Sequence, residues 1–391
     1  MRRFLSVLLI LLLLCGCAGC AAQGERATGT RLIALNAGKA DALLLLFDDQ
    51  AYLIDSGYQY TYNRLAETLR QYDVTRLNGV FLSHCDKDHY GGLMDLARSD
   101  IAVDAWYAAS IYYDLPGGQH PMELAAAERN DSVRYLSAGD TLALGTSGIL
   151  KVLGPLTCNT ENENNNSLVF SVETDDGTLL FTGDMKLNEE AELLSAGLIA
   201  HADLLKVPFH GDNSASSESF VQAVEPAAAL ICTSTAEEPD TPASSVLKRY
   251  GRVGAQVYVT QDTPIGYELT LQNGQVTAKE LDWALPDPAI HLRAEITPQE
   301  DLLTLYNNGA EDISLAGWIV YSTRGEDCIV LPEDAVIPAN GAFRLGTRAT
   351  AADTDLSLDI KRLWHKSKRD QMILLDAHGT TAAVTDNGIS E

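Results

Sequence analysis

Three apolar runs of strand length open the folded part of the chain: RLIAL (31–35), ALLLLF (42–47) and AYLID (51–55), parted by Gly and Asp turn signals. Runs of that length, rich in Leu and Ile and bounded by turn residues, predict a meander of strands. The spacing becomes helical over 62–72, returns to a strand in NGVFLSH (78–84), and enters a helix at GGLMDLARS (91–99). Farther on, SLVFSVE, GTLLFTGD, ADLLKVP, AAALICT and AQVYVT read as strands, with helices expected over 188–195, 217–223 and 244–250. Strands that arrive first as hairpins and later alternate with helices predict an α/β sandwich of sheets covered by helices.

The alternation stops near Leu281, and ALPDPAI (284–290), with two prolines, reads as a linker. Beyond it LRAEI, LLTLYN, GWIVYS, CIVLP, AFRLGT, MILLDA and TAAVT recur about every ten residues, bounded by Asn, Gly, Pro and Asp, which predicts an all-β sandwich. The expected organisation is therefore a leader over 1–22, a polar linker over 23–30, an α/β unit over 31–282, a linker over 283–290 and a β-sandwich over 291–391. A length of 391 residues agrees with two domains.

The leader reads MRRFLSVLLILLLLCGCAGC, a basic start followed by an apolar run from Phe4 to Leu14. That run is too short for a lasting transmembrane helix and fits an export signal. The 54 acidic against 28 basic residues give a formal charge of -26, which opposes unspecific adhesion to nucleic acid or anionic lipid. A polyanionic substrate then needs a local cationic or metal site. Cys20, Cys85, Cys158, Cys232 and Cys328 show no repeated spacing, so no disulfide framework is expected.

The densest chemistry lies in LSHCDKDHYGGL (82–93), where His84, Asp86, Asp88 and His89 stand between a strand and a helix. Alternate side chains at a strand end point the same way, so His84 and Asp86 can meet one cation while Asp88 and His89 face a second place beside it. Imidazole nitrogen with carboxylate oxygen suits zinc, manganese or iron. Asp184 follows the apolar strand LLFTGD, where a carboxylate can bridge two cations, and His210 follows KVPF. KRLWHKSKRD (361–370) is the one dense basic run: Lys361, Arg362, Lys366, Lys368 and Arg369 surround Trp364 and His365. Such a run can meet phosphates while an aromatic ring stacks on a base, or it can be a solvated loop with Trp364 turned into the core.

In order along the chain, LNAGKADALLL (35–45), LIDSG (53–57), LSHCDKDHYGGL, NNNSLVF (164–170), LLFTGD (179–184) and LLKVPFHG (204–211) resemble the metallo-β-lactamase fold, in particular the hydrolase domain of ComEC-type DNA-uptake proteins. The resemblance covers about residues 31–280 and implies an αββα sandwich with one or two divalent metals, zinc or manganese. It implies His84 and Asp86 at a first metal, Asp88, His89 and His210 at a second, and Asp184 at both, with Asp88 and Asp184 central to the chemistry. Metal-activated water then hydrolyses a phosphodiester, in DNA or a nucleotide. A small ester or lactam is the alternative substrate, and a surface binding protein with a structural or impaired metal domain the alternative function.

Two departures from the pattern bear on this. The usual His pair reads Phe209-His210, and where a GHP-type segment is usual the chain has EEPDTPASS, with Thr241 before Pro242 and only Glu238 or Asp240 as substitute acids. The leader segment LCGC resembles a bacterial lipobox, which implies lipidation at Cys17, with Cys20 second, and an extracytoplasmic chain anchored to the cell membrane. Residues 302–322, 331–347 and 364–379 resemble the lamin-tail domain, an immunoglobulin-like sandwich, and imply a tethering or substrate-presenting role.

Overall fold

A computed structural model describes residues 29–113, 115, 118–283, 292–325, 327–350 and 352–389. The leader, Cys17 and all but Trp283 of the 283–290 linker lie outside the described residues. Among the described residues no helix is long and apolar enough to cross a membrane.

Residues 29–283 build two sheets. The first has eight strands, in spatial order 275–280, 266–272, 30–35, 43–47, 50–54, 79–82, 106–109 and 133–136. The second has seven, in the order 256–259, 228–231, 204–206, 177–181, 169–174, 148–154 and 141–144. The expected opening meander is present, and its first strand begins at Thr30, so the polar linker ends one residue earlier than the sequence suggests.

Burial explains why the strands are apolar without alternation. Leu43 and Leu45 point into the core between the sheets with Phe81, Phe170 and Phe181, while Leu44 and Leu46 point outward beneath helices Tyr62–Gln71, Leu93–Arg98 and Pro121–Glu128. A strand covered on both faces reads as a continuous hydrophobic run. The outer face of the second sheet packs likewise on helices Leu187–Ser195, Glu218–Val224 and Ser244–Arg252, giving four layers, α, β, β, α. Strands 50–54, 79–82 and 106–109 run parallel, as do 177–181, 204–206 and 228–231. Ligand sites in such arrangements form beyond the carboxyl ends of parallel strands.

The C-terminal residues form two four-stranded sheets, in orders 292–297, 302–307, 342–347, 356–358 and 327–330, 319–322, 371–375, 381–386, around a core containing Trp318, Phe343 and Trp364. These sheets dock on helix Tyr62–Gln71. Asn63 Nδ2 donates to the carbonyls of Gly317 and Asp376, both at 2.9 Å, and Arg64 Nη2 to that of Gly379 at 3.1 Å. A Cβ on Gly379, whose φ is +80°, would lie 2.5 Å from the Arg64 nitrogen, so glycine is required by this close approach.

Candidate metal centre

Strand Gly79–Leu82 delivers the LSHCDKDHYGGL segment to the junction of the two sheets. His84 stands just past the strand, and the chain turns into helix Lys87–Tyr90 with Asp86 at the N-cap, which carries Asp88 and His89 inward. The paired glycines follow from packing: a Cβ on Gly91 would come within 2.4 Å of the Gln59 nitrogen, so the helix can lie against the 55–59 turn only without one. Asp184 arrives from strand Gly177–Phe181, and its N–H donates to Ser167 Oγ at 2.9 Å. His210 arrives from strand Leu204–Lys206 through a turn in which Phe209 and His210 both take left-handed backbone, at φ +46° and +51°.

Four sequence-predicted ligands converge. One ligand atom from each of Asp88, His89, Asp184 and His210 lies within 4.8 Å of all the others. Asp184 Oδ2 is 3.3 Å from His89 Nε2 and 3.0 Å from His210 Nε2, and Asp88 Oδ2 is 3.8 Å and 3.3 Å from the same nitrogens. Tetrahedral ligands at about 2.0–2.1 Å from an ion stand about 3.3 Å apart. Both Nε2 atoms are buried and have no hydrogen-bond partner despite this proximity. The four atoms thus stand at the spacing of ligands around one ion, and an N₂O₂ set of this kind suits a divalent metal.

Each imidazole is turned to present Nε2 by what holds its Nδ1. His89 Nδ1 donates to Asp55 Oδ2 at 2.8 Å, His210 Nδ1 to the Cys232 carbonyl at 2.7 Å, and His84 Nδ1 to Ser83 Oγ at 3.0 Å. Ser83 Oγ itself donates to Asp55 Oδ2 at 2.7 Å, so one carboxylate orients two histidines. Such outer hydrogen bonds fix the tautomer of a metal-binding imidazole. Asp55 lies within LIDSG yet was not among the predicted site residues; its signal was a carboxylate at the end of a strand otherwise apolar.

His84 and Asp86 lie beside the quartet. His84 Nε2 is 4.0 Å from Asp184 Oδ2 and 3.3 Å from Asp86 Oδ2, and the Asn164 amide nitrogen is 3.2 Å from His84 Nε2 and 3.0 Å from Asp86 Oδ2. Asn164, from the Asn-rich segment, thus joins the site as a residue the sequence reading left without a role. A second addition is Lys206, buried at its strand end, with Nζ 2.5 Å from Asp41 Oδ2, 3.0 Å from the Gly183 carbonyl and 3.6 Å from Asp184 Oδ1.

Electrostatics follow the geometry. Burial alone would neutralise Asp184, but the imidazoles of His210 and His89 hold its carboxyl well below the ordinary range. Burial likewise opposes the charged form of His210, and Asp184 and Asp88 outweigh it, raising the imidazole to about 9. The centre is thus built to attract positive charge.

Other expectations fare differently. Glu238 and Asp240 are exposed, and Thr241 is buried with its hydroxyl 2.6 Å from that of Thr233, so the late segment contributes no ligand. In the basic run Lys361, Arg362, Lys368 and Arg369 are exposed and Lys366 half-buried, its Nζ donating to the Gln299 carbonyl at 2.9 Å. Trp364 is fully buried in the β-core, as the solvated-loop reading of this run has it, and its ring is not available to stack on a base. The described cysteines, Cys85, Cys158, Cys232 and Cys328, are free thiols.

With this geometry in place, comparisons with known proteins place the chain. The sequence pattern of the metallo-beta-lactamase superfamily matches residues 35–235, 201 of 391. ComE operon protein 3 of Bacillus subtilis is 27% identical over 187 residues, which are 48% of this chain and 24% of that protein. Competence protein ComA of Neisseria gonorrhoeae is 26% identical over 252 residues, 63% of this chain and 33% of that one. The chain thus spans between about a quarter and a third of the length of these curated relatives. A metallo hydrolase from the archaeon Ignicoccus hospitalis superposes with a TM-score of 0.41 at 14% identity, covering 65% of this chain and 100% of that one.

Proposed function

Because the chain belongs to the metallo-β-lactamase superfamily, we propose that it hydrolyses phosphodiester bonds, in DNA or nucleotides, as a metal-dependent enzyme outside the cytoplasm, anchored through a lipid on Cys17. The observation that carries the reading is the convergence of the buried, unpartnered Nε2 atoms of His89 and His210 on Asp88 and Asp184. A divalent cation bound there lowers the pKa of water from ~15.7 towards about 7 and offsets charge on phosphate oxygens.

The chain's own residues supply the rest. His89 and His210 turn their Nε2 atoms inward because Asp55 and the Cys232 carbonyl accept their Nδ1 protons, and the Nε2 protons that Asp88 and Asp184 otherwise favour would be displaced by a bound cation. Asp88 and Asp184 remain anionic, Asp184 with Lys206 behind it. Lys39 Nζ, 3.9 Å from Asp88 Oδ2 and over the Phe209 ring at 5.5 Å, places a cation in the cavity wall where an anionic ester enters. Relatives named for competence support nucleic acid as the ester, and the exposed cations of the 361–370 run offer it a second, sequence-independent contact.

One observation favours a second reading, a surface binding protein with a metal domain that does not turn over. The Asn164 amide ties His84 to Asp86, and among the described residues one four-ligand group remains. Metal analysis of the purified chain, paired with hydrolysis of a bis-aryl phosphate and of single-stranded DNA, separates the two. Bound metal with turnover that Asp184→Ala abolishes is the expected result. Absence of stoichiometric metal, or metal without turnover, removes the enzyme reading.

A further inference from the structure

The cavity at the metal centre encloses about 650 Å³, and its walls come from both parts of the chain. Asp88, Asp184 and Asn164 line it on one side; Tyr58, Tyr60 and Tyr321 line it on another. Tyr321 belongs to strand Ile319–Ser322 of the C-terminal sheets. Its ring stacks on Tyr60 with centroids 4.0 Å apart and planes at 19°, and Tyr60 stacks on Tyr58 at 5.1 Å and 18°. Three phenols thus form one ladder across the seam between the two parts.

The ladder is held on both sides. Tyr60, Ile319 and Leu375 make a small apolar core of their own, and Asn63 and Arg64 fix the same seam through three main-chain carbonyls. The C-terminal sheets therefore do more than sit beside the hydrolase fold: without Tyr321 and Cys328 the cavity would lose part of its wall. Aromatic faces of this kind hold planar rings with little loss of side-chain freedom, and stacking on one base contributes about 1–3 kcal/mol.

We propose that the C-terminal region is the specificity wall of this cavity, Tyr321, held in place by its stack on the buried Tyr60, receiving a planar aromatic group of the substrate, such as a nucleobase, while its phosphate lies at the ligand cluster. This rests on the phosphodiester reading and extends it by assigning substrate choice to a residue outside the matched family region, which ends at 235. Tyr321 is a positioning residue for the substrate and takes no part in bond breaking.

The test is calorimetric binding of deoxyadenosine monophosphate and of inorganic phosphate to the full chain with zinc, for the unaltered protein and for Tyr321→Ala, Tyr321→Leu and Tyr321→Phe. Stacking of 1–3 kcal/mol predicts that Ala and Leu weaken the nucleotide by about 5–150-fold while inorganic phosphate stays within about twofold. Phe, which keeps the ring, should restore the nucleotide to within about threefold. Leu preserves apolar packing, so the comparison survives if Ala unfolds the seam. Full nucleotide affinity in the Leu variant, or parallel loss of both ligands, overturns the proposal while leaving the phosphodiester reading in place. An unaltered chain that binds neither ligand overturns both.

Discussion

Lys206→Met removes the ammonium buried behind the candidate metal centre while keeping most of its stem. Lys206 Nζ lies 2.5 Å from Asp41 Oδ2 and 3.6 Å from Asp184 Oδ1, and all three side chains are buried. At an effective dielectric of ~20 the attraction to Asp184 alone amounts to about 4–5 kcal/mol, and that to Asp41 to more. Burial of each ion costs several kcal/mol in lost hydration, so the net worth of the cluster is well below that sum. Methionine recovers the lysine's hydration cost but strands Asp41, whose Oδ1 already has no hydrogen bond, in a site that also gathers Asp55, Asp88 and Asp184. Removing one member of a buried pair costs about 3–5 kcal/mol, and that is the expected loss in urea unfolding of the chelator-treated chain. Replacing both members, as Lys206→Met with Asp41→Leu, should recover most of it. Zinc should narrow the single variant's deficit by supplying the missing positive charge. A single variant within about 1 kcal/mol of the unaltered chain, or a double variant no better than the single one, refutes the reasoning.

Three further outcomes are expected. In competition with a chelating dye, Asp55→Asn should weaken zinc by about 10–100-fold, the usual cost of losing an outer hydrogen bond, and His210→Ala by more; equal losses would contradict the assignment of inner and outer roles. Burial raises the Glu67 pKa, but hydrogen bonds from Arg70, Gln71 and His378 together outweigh it and lower the carboxyl to about 2. A depressed pKa stabilises above the unfolded value near 4.5 and is lost as pH falls through the folded one, so Glu67→Gln should cost about 1–2 kcal/mol at pH 6, after allowance for solvent screening, and only a small remnant of that at pH 2; a penalty independent of pH would contradict it. Gly379→Val, which drives a Cβ into Arg64 at a φ of +80°, should speed amide exchange along Asn63–Gln71 while leaving the 228–231 strand unchanged; unchanged exchange in both would mean that the seam is not held there.

What the chain displays in sequence is what strand ends and apolar runs encode. LLLLF reads as a strand because both faces are covered, and the ligands His84 to His89 read as a site because a strand-to-helix turn strings them together. Asp184 and His210 are legible for the same reason, each following a parallel strand at its carboxyl end. Less legible are residues whose role exists only once distant elements meet. Lys206 sits in ADLLKVP between Leu205 and Val207, where a cation in a fully apolar run was the available signal. Asn164 reaches His84 across 80 positions, and Tyr321 reaches Tyr60 across the linker, separations at which no periodicity reports contact. The strand Trp106–Ala109 and the helix opened by Pro121 were also absent from the expected elements, the helix because its PMELAAAE face carries few large apolar side chains. Trp364 shows what sequence leaves open: five neighbouring cations fit either a stacking aromatic or a solvated loop with the ring turned inward, and packing in the β-core selects the second.

The seam at Asn63 and Arg64 has a consequence for how the two halves of this chain can change over generations. Its hydrogen bonds end on the carbonyl oxygens of Gly317, Asp376 and Gly379, and a carbonyl is present whatever side chain its residue bears. Apart from glycine at 379, the turns that receive the helix can therefore drift in composition while docking persists. The cavity wall they support is free to acquire a new lining, so one half of the molecule can hold its ligand cluster constant while the other half reshapes the cavity beside it.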